Sequence, residues 1–154
     1  MIISWGKPTL KIKKLETGAA EYTFPTPVDG STQLSSEKGD KMEALIEGGE
    51  PEAVKYKRGK YSLEFQIRMG NDNAHTPTSN TGGTLLDGED GVVTGEYELE
   101  LVPEDVSEGA PGFKMPRGVF SYTDSYTSND GIIRTYTLDS LKPASGGQIV
   151  WTFQ

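Results

Sequence analysis

Cysteine is absent from this sequence of 154 residues. Without thiols the chain can form neither disulfides nor a thiolate metal site, and it cannot carry a cysteine nucleophile. Histidine occurs once, as His75, so no pair of imidazoles can hold a metal ion. Walker, Gly-x-Gly-x-x-Gly and Gly-x-Ser-x-Gly motifs are missing as well. These absences predict a protein that is not an enzyme, with no catalytic residues, no metal site and no cofactor.

Long apolar runs are also missing. No segment approaches the roughly 18 consecutive apolar residues that a membrane-spanning helix needs. The first residues, Met1–Pro8, lack the charged and apolar regions of an export signal. We therefore expect no membrane partner and no export. Hydrophobic residues make up only 34% of the chain. This low content predicts either a thin core or apolar segments that become buried only against a partner surface.

Positive charge is missing from the middle third of the chain. Residues 70–113 contain ten acidic side chains and no Lys or Arg, within a chain whose net charge is -8. Such a run is usually a solvated surface, but it also fits a field of one sign that faces a polyanion. It argues against tight sequence-specific nucleic-acid binding. Asp87–Gly91 resembles a fragment of a calcium loop, but it lacks the ligand spacing and the distal Glu of an EF-hand.

Alternation of apolar and polar residues predicts β-strands along much of the chain. In Tyr61–Met69 five large apolar side chains alternate with four polar ones, and in Glu96–Leu101 three glutamates alternate with three apolar residues. A hairpin is predicted for Val119–Thr127 and Ile132–Leu138, because residues 128–131 tolerate positive φ. The remaining predicted strands are Leu10–Leu15, Met42–Glu47, Ala53–Tyr56 and Ile149–Phe153.

Helical stripes are rare, and three polar segments interrupt the strands. Only Asp40–Glu47 and the segment that begins at Pro103 carry weak helix signals. Residues 17–38, 70–95 and 103–116 are predicted as loops. The sequence therefore predicts a single, nearly all-β domain over residues 1–154, an antiparallel sandwich or barrel with long loops and at most one or two short helices.

The longest predicted loop, residues 70–95, is a candidate for assembly. Loops of this length inside a compact domain are usually functional, or they order only when they bind. Four large apolar residues stand among its small and acidic ones, as candidates for contacts that form on docking. They are Leu85, Leu86, Val92 and Val93.

Two parts of the sequence resemble a known family. Glu37–Glu50, followed by the strand within Tyr56–Met69, resembles the central part of the tail tube (major tail) proteins of long-tailed bacteriophages and prophages. Gly112–Val119, the hairpin around Asn129–Gly131 and Thr135–Pro143 are similar to the end of such proteins. These pieces cover about half of the chain, and residues 70–95 have no fixed counterpart in the family.

The resemblance implies a structural virion protein, made in the cytoplasm of a bacterial host. Its subunits would close into rings, usually of six, that stack into a hollow tube. Its partners would be copies of itself and other tail proteins, with DNA only as non-specific cargo. Glu96, Glu98 and Glu100 are then candidates for facing an acidic lumen, where repulsion keeps DNA from adhering. The alternative is a monomeric β-sandwich that binds carbohydrate or protein, and stoichiometry distinguishes the two.

Overall fold

The computed structural model describes residues 1–18, 21–69 and 90–153. These residues form ten β-strands and one short 3-10 turn at Val106–Glu108. The strands are β1 (Thr9–Lys14), β2 (Glu21–Thr23), β3 (Gln33–Glu37), β4 (Lys41–Leu45), β5 (Pro51–Tyr56), β6 (Lys60–Met69), β7 (Tyr97–Val102), β8 (Gly112–Thr127), β9 (Gly131–Ser140) and β10 (Val150–Thr152).

Eight of the strands form one antiparallel sheet. Its order is β2-β1-β7-β8-β9-β6-β3, and β10 lies beside β8. Strand β8 is 16 residues long. Its first half pairs with β7 and β10, and its second half pairs with β9. The two remaining strands, β4 and β5, form a separate hairpin. The predicted fold class, nearly all-β and antiparallel, is therefore confirmed.

Strand β8 changes its neighbours at Gly118, which pairs with both Tyr97 of β7 and Ser140 of β9. A Cβ at Gly118 would lie 2.7 Å from a methyl group of Leu138, so this close crossing requires glycine. The register between β7 and β8 shifts just before it. Pro116 lies in the resulting bulge, where its missing N–H does not interrupt the ladder.

One face of the sheet encloses the core. Phe24, just after β2, has its ring centroid 4.9 Å from that of Phe65 on β6 and 5.3 Å from that of Tyr136 on β9. Because β2 and β6 are far apart in the strand order, these contacts show that the sheet folds over onto itself, as in a sandwich. The largest fully buried side chains are Tyr97, Tyr136, Phe65, Leu10, Ile12, Leu63, Ile67, Leu99, Met115 and Leu138.

Most of the predicted strands are confirmed with shifted ends, but the predicted loops are partly wrong. Residues 17–38 contain β2 and β3, which are short, polar edge strands without a clear apolar alternation. Residues 103–116 include the start of β8. The weak helix signal in Asp40–Glu47 is not realised, because this segment pairs with β5. Within the predicted insert at 70–95, residues 70–89 lie outside the described part of the chain.

The core contains a tyrosine hydroxyl whose ionisation affects the stability of the protein at high pH. The buried hydroxyl of Tyr136 makes no hydrogen bond of good geometry with the described residues, and the Arg134 guanidinium is the polar group that interacts with it. Burial raises the pKa of Tyr136 to about 12, and the neighbouring Arg134 opposes the rise. Because the folded-state pKa lies above the usual 10, ionisation does not affect stability below pH 10, and the free energy of unfolding falls as the pH rises towards 12, since the unfolded chain ionises first.

We expect Tyr136→Phe to leave stability at about pH 8 nearly unchanged, because it removes a buried hydroxyl that makes no hydrogen bond of good geometry. Near pH 11.5 the variant should be more stable than the parent by about 2 kcal/mol, because phenylalanine cannot ionise in the unfolded chain. Urea unfolding at both pH values measures the difference. Tyr126→Phe, at a side chain that is 72% exposed, is the control and should show no alkaline gain. An equal gain in the two variants would contradict the prediction.

Candidate functional site

The described residues contain no cluster of side chains that could hold a metal ion. Within 1–18, 21–69 and 90–153, no group of three or more His, Asp or Glu side chains is placed to hold a metal ion. No helix in the same ranges is long and apolar enough to cross a membrane. His75 and most of the segment Asp87–Gly91 lie outside these ranges. Three surface features of the described residues could take part in binding: a charged strand, an exposed hairpin and a groove.

The three predicted lumen-facing glutamates lie on one side of β7 or directly before it. Glu96, Glu98 and Glu100 are half-buried and alternate with the buried Tyr97 and Leu99, as the sequence pattern indicates. The register places Lys13 opposite Glu98 and Lys11 opposite Glu100 on β1. On the other side, Glu100 pairs in register with Lys114 of β8. The glutamates are therefore flanked by lysines from two neighbouring strands.

Two of these carboxylates form close ion pairs with β8. The Arg117 guanidinium donates from Nε and Nη2 to the two oxygens of Glu96, both at 2.7 Å, and from Nη1 to the carbonyl of Lys142 at 2.8 Å. Lys114 Nζ lies 2.8 Å from Glu98 Oε1. The hydrogen bond from Arg117 lowers the pKa of Glu96, and the bond to Glu98 raises the pKa of Lys114. In the single chain these glutamates form a ladder of alternating charge, and their orientation towards a lumen stays a prediction.

The described residues include only part of the predicted assembly loop. Leu85 and Leu86 lie outside the described residues. Val93 is buried in the core, whereas Val92 is 63% exposed and bridges to Ser121 of β8. Val93 therefore anchors the end of the loop to the body, and Val92 is the one described residue of the four that is exposed for a contact.

The hairpin of β4 and β5, with its turn, forms an arm over residues 41–56. Every residue in its two strands is exposed. Its turn is closed by hydrogen bonds from Ile46 N to Glu50 O and from Gly49 N to Ile46 O, at 2.9 and 3.0 Å. Five large apolar side chains of the arm are 44–59% exposed, namely Met42, Leu45, Ile46, Val54 and Tyr56. The sequence predicted these strands but not their separation from the core.

A narrow neck, residues 38–40 and 57–59, joins the arm to β3 and β6. Lys57 N donates to Asp40 O at 2.8 Å across it. A Cβ at Gly39 would clash with the carbonyl of Lys57, and one at Gly59 would clash with the carbonyl of Glu37. Glycine at both positions therefore lets the two backbones approach closely. The arm is a continuation of the β3–β6 pair beyond the body of the sheet.

A groove of about 610 Å³ lies between the N-terminal segment, the loop before β3 and the end of β7. Lys7 N donates to Glu104 Oε2 at 2.9 Å and fixes the N-terminal segment against the end of β7. Trp5, at the groove, is 68% exposed. The apolar part of the lining consists of Trp5, Pro8, Pro27, Val28, Leu101 and Pro103. No periodic pattern in the sequence indicates this groove, because its walls come from three segments that are distant along the chain.

The sequence matches no protein-family model, and no curated protein matches it either. The arm, the groove and the charged strand are the features of the described residues that bear on function.

The ion pair of Arg117 and Glu96 generates a prediction about titration. We expect Arg117→Gln to raise the pKa of Glu96 towards its ordinary value, because the largest influence on that carboxyl is lost. Since the folded pKa is lowered, the pair stabilises the protein at neutral pH, and its contribution is lost as the pH falls through that pKa. Carbon-detected NMR titration of the Glu carboxyls measures the change. Arg58→Gln on the neck is the control, and a Glu96 pKa equal in the parent and Arg117→Gln would refute the assignment.

Proposed function

We propose that this chain is a self-assembling structural protein of a phage tail tube, which forms stacked rings, of six subunits as the resemblance implies, for the passage of DNA. The observation that carries the proposal is the arm. An isolated two-stranded hairpin is marginally stable in water, and this one holds five large apolar side chains in solvent. A partner surface would cover them and stabilise the hairpin.

The edges of the eight-stranded sheet support the same proposal. Strands β2 and β3 end the strand order, so each has one edge without a neighbour among the described residues. Unpaired edges are templates for pairing with another chain. Lateral contacts at these edges would close rings, while the arm provides a contact of another kind. Such an assembly would place the protein in the virion, with other tail proteins at the ends of the tube.

The groove beside Trp5 is the observation that favours the alternative, a monomeric β-sandwich that binds carbohydrate or protein. An exposed indole at a groove of about 610 Å³ is a common feature of binding sites. A binding domain of this kind would stay monomeric at high concentration. The state of association therefore decides between the two functions.

The first test is assembly as a function of concentration. We expect light scattering and negative-stain microscopy to show rings or short tubes as the protein concentration rises. Ile46→Asp should raise the concentration at which they form by about tenfold or more, because it places a charge in the proposed contact. The matched control is Leu15→Asp, since Leu15 and Ile46 are both 45% exposed. A parent protein that stays at the mass of one subunit up to millimolar concentration would overturn the proposal.

The second test concerns the lumen. Glu98→Lys/Glu100→Lys leaves the Arg117 pair intact and converts a balanced ladder into a basic strand beside Lys11, Lys13 and Lys114. If these residues face the lumen, assembled variant tubes should bind short duplex DNA with an affinity that falls steeply with salt, whereas parent tubes should not. Glu64→Lys/Asp139→Lys, on the outer face of β6 and β9, is the control. Binding by the control tubes alone would assign the lumen to that other face.

A further inference from the structure

We propose that the groove beside Trp5 is the receptor for the arm of a second copy of this chain. The inference rests on the proposed self-assembly and goes beyond it, because it names both halves of one contact. The arm supplies exposed apolar side chains without a described partner surface, and the groove supplies an apolar recess of matching character. Leu45 and Ile46, at the end of the arm, are 59% and 45% exposed.

The two features lie at opposite ends of β3. Thr32, in the groove lining, directly precedes β3, and the arm begins at Lys41, just after β3 ends. An arm that seats in the groove of another copy therefore makes a head-to-tail contact between different surfaces. Contacts of this type leave a free arm at one end and a free groove at the other, so they extend an assembly rather than close a dimer.

The charges around the two features are complementary. The collar around the neck, residues 37–43 and 54–60, has a net charge of +3 from six cations and three carboxylates. The lining of the groove has a net charge of -1, from Asp29, Glu104 and Lys7. These opposite net charges favour the approach of one collar to the groove of the next copy.

One residue of the lining can pair with the acidic turn of the arm. Glu47 and Glu50 flank the two glycines of the turn, and Lys7 is the one basic residue among the described residues of the lining. When the turn enters the groove, the Lys7 ammonium can pair with one of these carboxylates. The apolar side chains of Leu45 and Ile46 then lie against Trp5 and the neighbouring prolines.

The absence of cysteine allows a direct test by disulfide trapping. Ile46→Cys protein is mixed with single-cysteine protein that carries Thr26→Cys, Asp29→Cys or Thr32→Cys, three positions in the groove lining. Under mild oxidation at an assembling concentration, at least one mixture should form the heterodimer about tenfold faster than the control mixture with Ser125→Cys. A bond requires Cα atoms within about 7 Å, so the rate reports the contact.

The outcomes separate this inference from the proposed function. Assembly without a preferred arm-to-groove crosslink would overturn the receptor and leave the tube proposal standing. An absence of any assembly would overturn both. A bond that forms in Ile46→Cys/Thr26→Cys protein at the mass of one subunit, but not between separate copies, would show that the arm folds back onto its own groove and would also overturn the receptor.

Substitutions without new cysteines give an independent check. Trp5→Ser should raise the assembly concentration by about as much as Ile46→Asp, because each removes one side of the same contact. The double variant should show little further effect, since the interaction is already lost. Circular dichroism controls for folding of each variant. Fully additive effects, or normal assembly by Trp5→Ser, would show that the groove does not receive the arm.

Discussion

The body of this protein depends on the continuity of β8. Its 16 residues pair first with β7 and then with β9, so one strand joins the two halves of the folded sheet. The transition needs a bulge that accommodates Pro116 and a glycine at 118, where any Cβ would meet Leu138. Arg117, which lies between these two residues, donates hydrogen bonds to Glu96 and to the carbonyl of Lys142. A side chain at position 118 would therefore disturb both halves together.

Many large apolar residues lie outside the core. The folded sheet encloses a row of aromatic rings, in which Phe24, Phe65 and Tyr136 lie within 5.5 Å of one another. The large apolar residues of the arm take no part in it, and neither does Trp5. Removing them from water would contribute hydrophobic free energy that the single chain does not use. The low hydrophobic content of the sequence is thus divided between a small core and exposed surfaces.

The parts that could be predicted from the sequence are those with a local signal. Alternation identified β6 and β7, and the polar turn at 128–131 identified the β8–β9 hairpin. Strands β2 and β3 were not predicted because they are short edge strands without a fully buried side chain, and such strands carry little alternation. The cations beside Glu98 and Glu100 depend on the register of β1 and β8, which no local pattern contains. No local pattern predicts the groove either, because its walls are three segments that come together only in the folded chain.

The same distinction explains why charge counted along the sequence is a poor guide to charge on a surface. Residues 96–100 belong to a stretch with no basic residue, yet β1 and β8 bring lysines and an arginine to their sides. The groove lining contains Asp29 and, from the same acidic stretch, Glu104, and among the described residues only Lys7 enters it as a cation. It therefore keeps a small negative charge, while the collar of the arm is basic. Folding thus neutralises the acidic surface beside β7, whereas the charges at the two ends of β3 stay opposite in sign.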